Sequence, residues 1–338
     1  MHHLLGLLAP FLACLLFSLP LCAQPLRIAI SIPGPGAAAY LPVELISKIG
    51  ADKAEGVDLR VVFSPGGSIS VAEMLTNNVD FAVVGLPAAM SARLKDPRVI
   101  ALAAINDLPL YVLLVRQDLK GEVKTIADLQ GRTIGIHSSS ATGKTTSQQL
   151  LELIFRRSGL PLGRYRTVPI GRRGESESLM LRTGVVDAVM GDEPHASMMV
   201  EEKIAFPLLH LGDAETRRLY SGTGFLRGTL IGRRDRLEQD PKKSAIMVKI
   251  IQRTLHWIAT HTPEEVVEKL EISAPEARAR LVKLLATYPR FFSKDGKFSL
   301  RQLRETEIFF IDSQAGNPAA AEFRIESMIV SHWAGRGD

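Results

Sequence analysis

A repeat limits what this chain can fold into more than any other feature. Met74, Asn77 and Asp80 recur as Leu181, Gly184 and Asp187: an apolar residue, Asn or Gly three positions later, and Asp three after that. Each Asp leads into an apolar stretch, Phe81 to Val84 and Ala188 to Met190, and Pro87 and Pro194 follow at the same offset. Asn77 and Gly184 suit the left-handed backbone position that ends a helix before a tight turn. The correspondence reaches back through each half, because Arg27 to Ile30 matches Thr133 to Ile136 and the distances from there to each Asp differ by one residue.

Between these markers the patterns predict strands over 27–31, 59–63, 134–137 and 165–170, and helices over 40–49, 68–76, 142–157 and 175–182. Short apolar strands alternating with amphipathic helices give parallel sheets wound by right-handed crossovers. With 338 residues, and domains of roughly 150 residues, the expected fold class is α/β, with two Rossmann-like lobes. The apolar stretches 99–105 and 110–115, around Asn106 to Pro109, and 225–231 are the natural crossings between them. Lobe 1 is expected to comprise 24–110 and 229–338, and lobe 2 111–228. After Ile231 the chain turns helical, with start signals at Asp240-Pro241, Thr262 with Glu265, Ser273 with Glu276, and Ser299. This segment has no repeat partner and is expected to pack on lobe 1.

From Leu4 to Leu21 the chain has no charged residue. The run is short, is broken by Pro10 and Pro20, and ends in Cys22-Ala23, which reads as a secretory signal peptide (1–23) cut after Ala23. The n-region offers only His2 and His3, so a retained membrane anchor stays open as the lesser alternative. Both cysteines fall inside this run, leaving a mature chain without disulfide, thiolate metal site or Cys nucleophile. The net charge of +5 is mild. It fits a small anion or an acidic partner surface and falls short of a nucleic-acid footprint.

Ligands of parallel α/β sheets bind beyond the carboxyl ends of strands, where loops enter helices. In the first half those loops hold Gly36, Tyr40, Gly66, Gly67, Ser68, Leu86 and Pro87, followed by Asn106 at the crossing; in the second they hold Ser138, Ser139, Ser140, Thr142, Glu193 and His195. Glycines allow close backbone approach, and N–H groups at a helix start with hydroxyls beside them hold an anionic oxygen. A ligand with a carboxylate or sulfonate, with its amine toward Asp192 or Glu193, is the expectation. Plainer readings stand beside it: helix capping for Ser138 to Thr142 and for Asp192-Glu193, packing for His195, core for Tyr40, and a solvated surface for Arg156, Arg157, Arg164, Arg166, Arg172 and Arg173. Gly143-Lys144-Thr145 lacks the first glycine of a phosphate loop, since position 138 is Ser. No HExxH, GxSxG or metal-ligand spacing occurs, so no catalytic residue, metal or cofactor is expected.

The phrases from Gly56 to Gly67, Val79 to Ala89, Ile126 to Ile136 and Gly184 to Ala196 are similar to those of the periplasmic solute-binding proteins of the nitrate/sulfonate/taurine class. The resemblance runs in order from Leu26 to Gly232. It implies a type II binding protein: two lobes joined by two crossings, a small molecule between them, and delivery to an ABC permease with its ATPase. A periplasmic, monomeric, non-enzymatic protein follows. The class also has a pyrimidine-synthase relative with a Cys-rich motif, which a Cys-free mature chain lacks, and relatives that bind pyrimidines or aromatic acids. Two other readings remain open, a secreted enzyme using Glu193 and His195 as acid and base, and the binding module of a sensor.

Overall fold

The computed structural model describes residues 24–137, 144–171 and 174–337. The first half forms β1 (Leu26–Pro33), β2 (Val57–Ser64), β3 (Phe81–Gly85) and β4 (Val99–Ala104). The second forms β5 (Tyr111–Arg116), β6 (Thr133–His137), β7 (Arg166–Ile170), β8 (Ala188–Asp192) and β9 (Ala205–His210), and β10 (Gly228–Arg233) follows. They make two five-stranded sheets, in the orders β2-β1-β3-β10-β4 and β7-β6-β8-β5-β9. In each, the first three strands are parallel, as the alternation predicts. The fourth differs. β10 returns to the first sheet antiparallel to β3, and β5 enters the second antiparallel to β8, so both sheets are mixed. Each crossing strand arrives from the other lobe, which makes it run against its neighbours.

The repeat residues fix the geometry at matching points. Asp80 takes the backbone N–H of Ala29 at 2.8 Å and returns its own N–H to the Ala29 carbonyl at 2.9 Å. Asp187 does the same to Thr133, at 2.8 and 2.7 Å. Asn77 and Gly184 both adopt the left-handed conformation, with φ of 62° and 69°.

Helices α1 (Leu41–Leu45), α2 (Gly67–Leu75) and α3 (Leu86–Arg93) belong to the first repeat, and α4 (Thr146–Arg157), α5 (Gly174–Arg182), α6 (His195–Glu201) and α7 (Ala214–Leu219) to the second. The helix expected over 40–49 is short, with 3-10 turns before it at Ala38–Tyr40. The tail is helical: α8 (Arg234–Gln239), α9 (Pro241–Thr260), α10 (Pro263–Lys269), α11 (Pro275–Thr287), α12 (Leu300–Ser313) and α13 (Pro318–Ala321). Asp240 caps α9, and Thr262 and Glu265 form a capping box on α10. At α11 the cap position is Ala274, one past the expected Ser273, and Ser299 makes no side-chain cap on α12.

The tail does pack on lobe 1, where Met247, Ile250 and Ile251 of α9 join Ile28, Ile30 and Ile32 in one core. It also reaches lobe 2. Phe309 of α12 lies in the core of the second sheet, its ring 4.3 Å from that of Phe225, and Arg156 and Arg157 of α4 pair with Asp312. Burying one such side chain contributes roughly 1.5–3 kcal/mol, so the tail ties the lobes together as well as covering one of them.

Candidate functional site

The second crossing carries one charged residue into the protein. Arg227 precedes β10, is fully buried, and pairs with Asp192 at the end of β8 in the other lobe. Its guanidinium carbon lies 4.2 Å from the Tyr111 ring centre and 5.9 Å from that of Tyr40, within reach of cation–π attraction. Burial opposes the charge, and the Asp192 carboxylate overrides it, holding the guanidinium proton more tightly than usual. Among the described residues neither Nε nor Nη1 has a hydrogen-bond partner.

Several predicted residues converge here. The Leu86 N–H donates to the Arg227 carbonyl at 2.9 Å, and Asn106 Oδ1 accepts from the Gly228 N–H at 3.0 Å. Gly228 has to be glycine, since a Cβ there would sit 2.1 Å from Asn106 Oδ1. The Asn106 amide nitrogen is buried and has no hydrogen-bond partner among the described residues. Tyr40, Leu86 and Asn106 are thus brought to one place by Arg227 and Gly228.

Gly36 and His195 meet elsewhere, in a pocket of about 480 Å³ where the loop before α1 faces the start of α6 and the corner between α10 and α11. Glu44 lines it, accepting the Gly36 N–H at 3.0 Å. Burial pushes the Glu44 carboxyl up to about 7, against the pull of that N–H and of Lys48.

The remaining predicted residues have structural partners. Gly67 faces Val84, Pro33 and Ala88 within lobe 1, beside Gly66 at the cap position of α2 and the buried Ser68. The Pro87 carbonyl accepts from Gln149 of α4, 3.1 Å across the lobe boundary. Glu193 accepts from Ser197 N–H and Oγ at 3.2 and 3.0 Å and meets His210 at 3.2 Å. It therefore accepts from the first turn of α6 and is engaged with His210, and among the described residues no hydrogen bond joins it to His195. Asp192 is committed to Arg227, so an amine directed at either carboxylate would compete with an existing partner. Ser138, Ser139, Ser140 and Thr142 lie outside the described residues, as do Arg172 and Arg173.

The model of the NMT1/THI5-like family matches residues 53–266. The chain belongs to the NMT1/THI5-like family. Its fold is that of solved periplasmic binding proteins. A Bordetella bronchiseptica RB50 protein is similar with a TM-score of 0.81 at 18% identity, over 92% of this chain and 96% of that one. The alkanesulfonate-binding protein SsuA from Xanthomonas axonopodis pv. citri, bound to MOPS, gives 0.72 at 14% over 91% and 99%. The desulfurization enzyme DszB gives 0.58 at 18% over 91% and 97%. No curated protein sequence matches the chain. Binder and enzyme thus share this fold, and function has to be argued from side chains.

In this member of the NMT1/THI5-like family the residues that pattern reading missed are Arg227, Tyr111 and Glu44. Two had a signal: Arg227 is the lone charge in the apolar run 225–231, and Glu44 is the lone charge between Leu41 and Ile46. A separate buried polar cluster gave none. His137 meets Ser147 Oγ through Nδ1 and Glu177 Oε1 through Nε2, both at 2.7 Å, with all three residues buried. Sealed from solvent, this chain of bonds fastens the end of β6 to α4 and α5.

Proposed function

We propose that this chain is the extracytoplasmic solute-binding component of an ABC importer, closing by hinge motion on a small solute that presents acceptor oxygens, such as a sulfonate, nitrate or carboxylate. One observation carries the reading: a guanidinium buried at the meeting of the two lobes with two nitrogens that find no hydrogen-bond partner among the described residues. Leaving a buried donor unmade costs roughly 1–3 kcal/mol, and a charge-assisted bond to an oxygen returns about as much. Because Asp192 already balances the charge of Arg227, the solute is recognised through its oxygens more than through net charge. Tyr40, Tyr111 and the Asn106 amide complete the surroundings.

We take the lobes as 24–110 with 229–338 and as 111–228, so that Arg227 stands beside the second boundary. Partners are a permease and its ATPase, and the protein works as a monomer in the periplasm without turning its solute over. Calorimetric titration of the full chain with alkanesulfonates, nitrate and carboxylates tests this. We expect one of these classes to bind, and Arg227→Lys to weaken binding at least about tenfold, the loss of one charge-assisted bond. Unchanged affinity in a folded Arg227→Lys protein, or binding of none of the three classes, would refute the reading.

A further inference from the structure

The pocket between the loop at Gly36 and α6 has apolar walls, Leu41, Met198, Leu270, Ile272 and Leu281, and a charged floor of a particular kind. Its two strong cations are already engaged: Lys48 Nζ lies 2.6 Å from Glu271 Oε2, and Arg280 Nε lies 2.9 Å from Glu201 Oε2. Its carboxylates are not. Among the described residues the Gly36 N–H is the one hydrogen-bond donor to Glu44, and Glu175 has neither a hydrogen bond nor an ion pair. Among the described residues the charge left to meet an occupant is negative, and Glu175 and His195 are the titratable side chains on the α5 and α6 side of the pocket.

We infer that this pocket binds a small organic amine, its ammonium group at Glu44 and its apolar body against Leu41, Met198 and Leu281. The volume falls within the range of small-molecule sites. The inference goes beyond the solute reading and needs nothing from Arg227. With the Glu44 carboxyl pushed up to about 7 by burial, its protonated form competes near neutral pH, and an ammonium group requires its carboxylate form. Occupancy therefore expels a proton, and affinity rises with pH. Between pH 6 and 8 the ionised fraction of such a group grows about tenfold, so the dissociation constant should fall by about the same factor.

Calorimetry of the full chain with benzylamine, benzyl alcohol and benzoate at pH 6, 7 and 8 tests this. Benzylamine should bind at least tenfold more tightly than the alcohol at pH 8, tighten about tenfold from pH 6 to 8 and release a proton at the low end. Glu44→Gln keeps an acceptor for the Gly36 N–H; it should weaken the amine about tenfold and flatten the pH profile, while His195→Asn should keep the slope. Met198→Trp, which fills the pocket from the other wall, should abolish binding with Glu44 intact. Equal binding of alcohol and amine, a slope that survives Glu44→Gln, or one that vanishes in His195→Asn would overturn the inference. Amine binding without binding of sulfonate, nitrate or carboxylate would sink the Arg227 reading alone; the converse would sink this one alone.

Discussion

At one position of the repeat the first sheet ends β3 on Gly85 and the second ends β8 on Asp192. Gly85 stands opposite Gly228, and a Cβ on it would come within 2.1 Å of Thr146 Oγ1 at the start of α4, so the absence of a side chain admits the other lobe. Asp192 stands opposite Tyr111 and reaches across to hold Arg227. Next in line, Leu86 begins a helix whose first residues are wholly apolar and buried, while Glu193 is a buried carboxylate bonded to Ser197 and His210. The two copies agree at Asp80 and Asp187, where the side chain makes backbone geometry, and part company where the lobes face one another. The first repeat supplies shape and the second supplies charge.

The largest effect should come from removing that charge on one side only. Arg227→Leu breaks the buried ion pair with Asp192 from one side, which typically costs about 3–5 kcal/mol. Replacing both partners by Leu should recover much of the loss, because the desolvation cost disappears along with the attraction. Urea unfolding of the two proteins measures the difference. If the single substitution costs as little as the double, Asp192 does not depend on Arg227 and the contrast between the sheets loses its electrostatic content.

The parts of this fold that could be read in advance are those set by local rules. A left-handed position wants Asn or Gly, a Thr with Glu three residues on makes a capping box, and both held at Asn77, Gly184 and Thr262. Strand exchange was hidden, because whether Gly228–Arg233 runs with or against β3 depends on which lobe the chain has just left, and no residue of β10 encodes that. The reach of α12 into lobe 2 was hidden for a similar reason, since Phe309 looks like any core aromatic. At the site, Tyr40, Leu86 and Asn106 could be placed by the strand-end rule, but the residue that gathers them comes from a crossing with no counterpart in the repeat.

The shared half of the comparison is open to a direct test. Asp80→Ala and Asp187→Ala each leave a strand N–H, on Ala29 or Thr133, without its side-chain acceptor, at about 1–3 kcal/mol. Each also releases a cation, Lys243 at 2.7 Å or Arg116 at 3.3 Å. We expect the two losses of unfolding free energy to agree within about 1 kcal/mol, as pairs this exposed contribute roughly 0–1 kcal/mol. A near-zero cost for one and a full cost for the other would mean that only one copy of the motif still shapes its sheet.

The smallest effect distinguishes the two helix ends. Both need a left-handed residue, yet one is Asn and the other Gly. Asn77 uses its side chain: Oδ1 accepts from Arg233 Nη1 at 2.6 Å and from Arg236 Nε at 3.1 Å, tying the end of α2 to β10 and α8. Gly184 has no such room, because a Cβ would meet Arg116 Nη1 at 2.8 Å and push it off Asp187. Asn77→Gly therefore trades relief of the positive φ against hydrogen bonds to a buried guanidinium, and the bonds should prevail, for a net loss of about 1 kcal/mol. Gly184→Asn fits the backbone but has to displace the flexible end of Arg116, at roughly 0.5 kcal/mol. Denaturant midpoints for the two exchanges decide it. If Asn77→Gly stabilises the protein, its bonds to Arg233 and Arg236 contribute nothing net, and the two ends differ only by history.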